Sequence, residues 1–338
     1  MAKPAINRRA FIRLALLGGI GAGLLYIQRE TAHLGMWNFL RWMVRGQLQR
    51  ISSPAIVALG KCSSYDEDIQ SNLRNLWQLA NMPDVRGKKI LVKPNVLNQV
   101  GEFPATTNPR VVGAVLDILA EMGVGSVVVG EGSAFRRDTY SVVATCGLSQ
   151  ELERRGIPFI DLNYDDLVPV GARDGWMRKT SKLWLPRHAV EADLILSVPK
   201  LKAHHWAGVT LSIKNLLGIL PGSRYGWPKN IIHINGINAT ILGVYQSLPP
   251  VVAVVDGIVG MEGNGPLFGK PVQHGLLAVG NDPVAVDTMC VQLMGYSIDA
   301  ISHLSIAGWA GIGQATRIET RGVLPEQLQQ HYEPPPLL

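Results

Sequence analysis

Cysteine is scarce: three residues in a chain of 338, Cys62, Cys146 and Cys290, with no C-x-x-C pair. That spacing excludes a local iron–sulfur or zinc-knuckle motif and supplies no disulfide framework. Three small buried side chains are the expectation, with one distant bridge left open in an oxidising compartment. Charge is also sparse, at 17% of residues against 47% hydrophobic, which excludes disorder for the body. The formal charge of +6 suggests nucleic acid until its distribution is read. Residues 1–50 hold eight of the 32 Lys/Arg and one of the 26 acids, leaving 24 basic and 25 acidic residues beyond them. The body is neutral, so no nucleic-acid partner is expected. Also missing are a G-x-G-x-x-G opening a helix after the first strand, a Walker A sequence and a G-x-S-x-G elbow.

The basic start is patterned. Asn7-Arg8-Arg9-Ala10-Phe11 precedes an apolar stretch from Leu14 to Ile27, the form of a twin-arginine signal over residues 1–28. Fourteen residues rise about 21 Å, short of a bilayer core of about 30 Å, which counts against an ordinary spanning helix. No strict Ala-x-Ala follows, so a cleaved signal and a retained anchor both stay open. The expected partner is the twin-arginine translocase, and the expected location is the periplasmic face of the inner membrane. Over 29–52, Met36, Leu40, Met43, Val44 and Ile51 recur at helical spacing, with Trp37 and Trp42 nearby and Arg41, Arg45 and Arg50 between. Such a helix lies in the headgroup plane or packs on the body.

From residue 55, short β-branched runs alternate with helical segments: 55–59, 89–92, 126–129, 159–162, 192–198 and 251–255 read as strands. The fold class is therefore α/β, a mostly parallel sheet with helices on both faces. It occupies 53–320, as one domain or as two α/β lobes divided near 165–190, where 171–186 reads as a hairpin or insertion. Residues 321–338, with Pro334-Pro335-Pro336, read as a tail.

Ligands of open α/β sheets sit beyond the carboxyl ends of the strands. Polar residues recur there: Lys93 and Asn95, Glu131 and Ser133, Asp161 and Asn163, Lys200 and Lys202, Asp256 and Glu262. The densest segment runs from Val198 to Gly218. Within it, 209–217 fits a strand or a helix, and under either period Thr210 and Lys214 share a face. A lysine among apolar residues tends to lose its proton, which suits a base or a covalent anchor; a pairing with a buried acid is the plain alternative. Lys214, His204 and His233 are thus the candidates for chemistry. Lys93, Asn95, Glu131, Lys200, Lys202, Thr210, Asn215 and Asn264 are candidates for holding a cofactor. For a divalent metal the candidates are His205, Asp256, Glu262 and Asp287, the middle pair grouped with Asn264 in a glycine-rich loop. Asp282, before Pro283, reads as a helix cap.

These motifs, in order, resemble the domain-of-unknown-function 362 family over roughly 55–315. They are Leu91-Val92-Lys93-Pro94-Asn95, Thr106-Thr107-Asn108-Pro109, the 198–218 segment, Val255-Asp256-Gly257, Met261-Glu262-Gly263-Asn264-Gly265-Pro266 and Asp282-Pro283-Val284-Ala285-Val286-Asp287. Some relatives carry iron–sulfur modules; this chain lacks the cysteines, so no such cluster is expected. His204, Ala207-Gly208 and Lys214 also have the spacing of the nickel-pincer lactate racemase family. That resemblance implies a cofactor joined to Lys214, with His204 and His233 as metal ligand or acid–base groups. The expected activity is cofactor- or metal-dependent proton transfer on a small polar substrate; a non-catalytic binding or redox-assembly module is the alternative.

Overall fold

The structure, a computed structural model, describes residues 35–97, 104–133, 138–177 and 179–336. The twin-arginine stretch lies outside the described residues.

A first helix, α1 (Gly35–Ile51), leads into β1 (Ala55–Lys61), α2 (Ile69–Leu79), β2 (Lys89–Pro94), α3 (Pro109–Glu121) and β3 (Ser126–Glu131). Next come α4 (Thr139–Thr145), α5 (Leu148–Glu153), β4 (Phe159–Asp161), β5 (Leu167–Gly171), β6 (Lys182–Pro186) and α6 (Arg187–Val190). Strands β7 (Leu194–Val198), β8 (Lys200–His204) and β9 (Gly208–Thr210) lead to the short helices α7 (Ser212–Asn215), α8 (Gly222–Tyr225) and α9 (Ile231–Asn235). The chain closes with α10 (Ile237–Ser247), β10 (Val251–Glu262), β11 (Lys270–Gly280), α11 (Pro283–Leu293), α12 (Ser302–Trp309) and β12 (Ile318–Gly322).

Four helix starts are dictated locally. Asp68, Asn108, Asp138 and Asp282 accept hydrogen bonds from backbone N–H groups of the first turns, and Pro109 and Pro283 open α3 and α11 with a residue that has no N–H to lose. The strands are aliphatic on both faces. Alternate residues divide between two cores: Leu91, Ile195 and Val255 face one side, while Ile90, Val92, Leu196 and Val254 face the other. Helices α2–α5 cover the second core; α1, α10, α11 and α12 cover the first. Each fully buried Leu, Ile or Val contributes about 1.5–3 kcal/mol.

The main sheet runs β12-β1-β11-β10-β7-β2-β3-β4, with β8 and β9 added beside β10. Its centre is parallel (β10–β7, β7–β2, β2–β3, β3–β4); β11 enters antiparallel between β1 and β10, and β9 runs antiparallel to β8. The body does not divide at 165–190. That stretch is the antiparallel β5–β6 hairpin, and β2 and β7, from either side of it, pair directly. Nor is 321–338 a tail. Leu328 and Tyr332 are buried, Tyr332 meets His274 Nδ1 at 3.0 Å, and β12 pairs with β1. Apolar side chains spaced along the segment strap it across β10 and β11 despite the prolines.

Helix α1 presents two faces. Trp42 stacks on Trp176 with centroids 4.1 Å apart and Phe39 meets Trp309 at 5.6 Å, so Trp42 faces the body and not a headgroup layer. On the other side Leu40, Val44, Leu48 and Ile51 are exposed, rising to 77% at Ile51. Among the described residues, no helix is long and apolar enough to cross a membrane.

Candidate functional site

From β2 the chain steps outward to β3 and β4, then returns to place β7 on β2's other side. Strand order reverses there, and the loops leaving the two strands diverge to open a crevice. It holds a cavity of about 300 Å³, at the small end of ligand pockets.

Beneath it lies a buried ion pair. Lys93, at the end of β2, meets Glu131, at the end of β3, with Nζ to Oε2 at 2.6 Å. Lys93 Nζ also donates to Pro94 O and, at 3.2 Å, to Asn215 Oδ1. Glu131 accepts the backbone N–H groups of Val96 (3.0 Å) and Gly132 (2.8 Å). Asn215 returns two donations, to Lys93 O (3.0 Å) and Ser197 Oγ (3.1 Å), tying the 212–218 segment to the strand ends. Gly218 lies so close that an added Cβ would sit 2.1 Å from Glu131 Oε1.

Residues 209–217 are both of the expected structures in turn: β9, then the single turn α7. The turn starts where it does because Asp287, wholly buried on α11, accepts the N–H groups of Ser212 (2.7 Å) and Ile213 (2.9 Å). Burial pushes Asp287 up to about 7 despite those bonds. Its carboxylate is therefore spent on holding α7 and is not a metal ligand. That hold fixes Lys214, which lines the cavity together with Thr210, as the shared-face argument requires.

Three lysines line the cavity. Lys214 has no hydrogen-bond partner among the described residues; burial, then Lys93, pulls it down to about 7 against the attraction of Glu131. Lys202, fully buried, donates to Ala105 O and is driven well below its ordinary value by burial, then by Lys214 and Lys200. Lys229 donates to Gly132 O (2.9 Å), Gly218 O (3.0 Å) and Leu217 O (3.3 Å); burial lowers it to about 7, with Glu131 opposing. Its backbone is left-handed, φ 69°. The three carbonyls hold the side chain that this unusual turn directs inward.

Sequence reasoning missed Lys229. Its only signal is a basic residue inside the Trp227-Pro228-Lys229 turn, among apolar neighbours.

All three candidate histidines line the cavity. His204 and His205 do not point apart as in a regular strand: β8 ends there, and the rings stack at 4.9 Å. His204 Nδ1 accepts the N–H groups of Trp206 and Ala207, both at 3.1 Å, which places the proton on Nε2. Burial, then Lys214, drives its pKa far down, so His204 is a fixed neutral donor and not the expected acid–base group. His205 Nδ1 donates to Gly265 O, and His233 stacks on Trp206 at 5.1 Å. Asn95 completes the polar lining, with its Oδ1 and the Thr210 hydroxyl both buried and without partners.

The remaining candidates fall elsewhere. Lys200 pairs with Asp256 at 3.0 Å and donates to the Tyr65 hydroxyl; Asp256 also accepts Tyr65 O–H (3.0 Å) and Asn108 N–H (2.8 Å). Asp256 sits within β10 and Glu262 at its end, because that strand runs through the expected glycine-rich loop. Glu262 Oε2 accepts the Glu333 N–H at 2.8 Å, and Asn264 is exposed on the turn beyond. His205, Asp256, Glu262 and Asp287 therefore do not converge. Among the described residues, no three His, Cys, Asp or Glu side chains are placed to hold a metal ion. A lysine-linked group is better matched, since Lys214 is unpartnered beside the cavity.

Residues 90–292 match the domain of unknown function DUF362, and the chain belongs to that family. It is similar to a thylakoid-associated protein of Synechocystis, 30% identical over 247 residues, covering 70% of this chain and 74% of that protein. Among solved structures it is similar to the lactate racemase apoprotein of Thermoanaerobacterium thermosaccharolyticum, with a TM-score of 0.44 and 17% identity over 73% of this chain. It is also similar to a Thermotoga maritima protein, with a TM-score of 0.43 and 14% identity over 68% of this chain. The chain spans 58% of the length of each of these two.

Proposed function

We propose that this DUF362 protein is an enzyme whose cavity holds a small polar substrate or cofactor and whose Lys214 Nζ takes and returns a proton. One observation carries the reading: Lys214 lines the crevice cavity with its amine unpartnered, while the neighbouring lysines are held by carbonyls or a carboxylate. A desolvated amine poised near neutrality is matched to general base work or to carbonyl capture. The test is Lys214→Met and Lys214→Arg against a metabolite panel. Turnover lost by at least 100-fold in both is the expected result. Turnover unchanged in Lys214→Met ends the reading. Stoichiometric binding without turnover would favour the alternative, a non-catalytic cofactor-binding or delivery module, which the carbonyl-fixed Lys202 and Lys229 also suit.

For location, the proposal is export through the twin-arginine translocase and attachment at the periplasmic face of the inner membrane. Its supports are Arg8-Arg9 with the apolar stretch behind it, the outer face of α1, and the thylakoid association in the relative's name. Replacing Arg8 and Arg9 by lysine should leave the protein in the cytoplasm. Leu48→Glu with Ile51→Glu should move it from membrane to soluble fractions; no change in either fractionation rejects the corresponding half.

A further inference from the structure

Four lysines, Lys93, Lys202, Lys214 and Lys229, gather at this crevice around Glu131, which is held by Lys93 at 2.6 Å; Asp161, outside the lining, is a second carboxylate and acts on Lys229. Lys229 donates to three carbonyl oxygens, which uses all three N–H bonds of an ammonium group. Its protonated form is therefore matched by the wall, against a burial that pulls the amine down to about 7. Lys202 spends one donor on Ala105 O and keeps two; Lys214 keeps three. Beside them the Thr210 hydroxyl, 1% exposed, has no partner although it lines the cavity. Buried charge is stable only when compensated, and unpaired buried donors are costly. Among the described residues of the lining no second acid supplies the compensation, so the amines either give up a proton, the direction in which burial pulls them, or gain an anion with the ligand.

We propose that the cavity is an oxyanion site: its ligand carries a carboxylate or phosphate group, bound by Lys202, Lys214 and Thr210 in the field of Lys229. This rests on the cavity being the working site, and names the class of molecule it works on. Lys214 then has a double role, contacting the anion and exchanging a proton, so ligand charge and amine protonation are coupled.

The experiment is a footprint on the whole wild-type protein. The acetylation rate of Lys214 is followed by mass spectrometry with inorganic phosphate, acetate, malonate or neutral acetamide at equal ionic strength; exposed Lys61 serves as the internal control. At least tenfold protection of Lys214 by phosphate or by a carboxylate, with Lys61 unchanged, is expected; which salt protects identifies the group. Lys202→Met, checked for folding by circular dichroism, should weaken that protection at least tenfold, about 1.4 kcal/mol. Equal labelling in all four solutions overturns the proposal whatever the variant does. Anion protection without any Lys214-dependent turnover leaves the oxyanion site standing and removes the enzyme. Turnover of a neutral substrate without protection does the reverse.

Discussion

Five lysines, four buried and Lys214 partly so, fall into two regions that differ in their charge partners. Lys93 and Lys200 each sit against a carboxylate, Glu131 at 2.6 Å and Asp256 at 3.0 Å, with Asn215 and Pro94 O completing the first and the Tyr65 hydroxyl joining the second. Lys202 and Lys229 are as enclosed and Lys214 is partly buried at the cavity wall, yet the three have carbonyls or nothing. In the first region charge is matched inside the protein, and the result is a fixed joint between strand ends. In the second the mismatch faces a cavity. Burial alone does not mark a site; burial without a charge partner does.

The sharpest way to break that comparison is to remove an acid from the matched region. Glu131→Ala leaves the Lys93 ammonium buried and alone, and should cost about 3–5 kcal/mol in urea unfolding. A loss under 1 kcal/mol would put Lys93 in the second class. Lys214→Met tests the mismatched region in the opposite direction. Its amine has a pKa of about 7 when folded and an ordinary lysine value of about 10.4 when unfolded, so the unfolded chain binds more protons between those values and stability rises with pH across that window. The penalty is complete below pH 7 and gone above the unfolded value. The variant should therefore melt a few degrees higher than wild type at pH 6 and equally at pH 10.5, read by calorimetry without added anions. Equal melting at both would mean that Lys214 is not strained by burial. Tyr65→Phe removes one hydroxyl from the Lys200–Asp256 network and should cost about 1–3 kcal/mol. Smallest is Tyr332→Phe, which strips the His274 contact from the C-terminal strap at about 1 kcal/mol by the same measurement.

How much of this the sequence could show follows from the range of each interaction. The six strands from 55–59 to 251–255 and the Asp282 cap were legible because aliphatic runs and an Asp before a first turn act over a few residues; β11 and β12 were not read from the sequence. The crevice was legible too, since parallel strands bring their carboxyl ends to one side, and Lys93, Asn95, Glu131 and Lys202 stand there. What was not legible is which lysine has an acid. Glu131 is 38 residues from Lys93 and Asp256 is 56 from Lys200, and nothing local distinguishes these lysines from Lys202. Asp287 looked functional for the same reason: its partners are the N–H groups of Ser212 and Ile213, more than seventy positions away. Lys229 was invisible because its place depends on a turn conformation and not on a pattern. The C-terminal segment misled through its prolines, while Leu328 and Tyr332 determined where it lies.

Strand β1 has a consequence for timing. Residues 55–61 are held on one side by residues 276–280 and on the other by residues 318–322. During synthesis this early aliphatic segment leaves the ribosome with both hydrogen-bonding edges bare, and neither partner exists until most of the chain has followed. Closing so long a loop is slow, and an unpaired apolar strand is prone to wrong pairing meanwhile. A nascent chain arrested before residue 276 should thus be held by chaperones or be open to protease at 55–61, and become resistant only once β12 has emerged. The emergence of β12, and not of β1, sets when this sheet is complete.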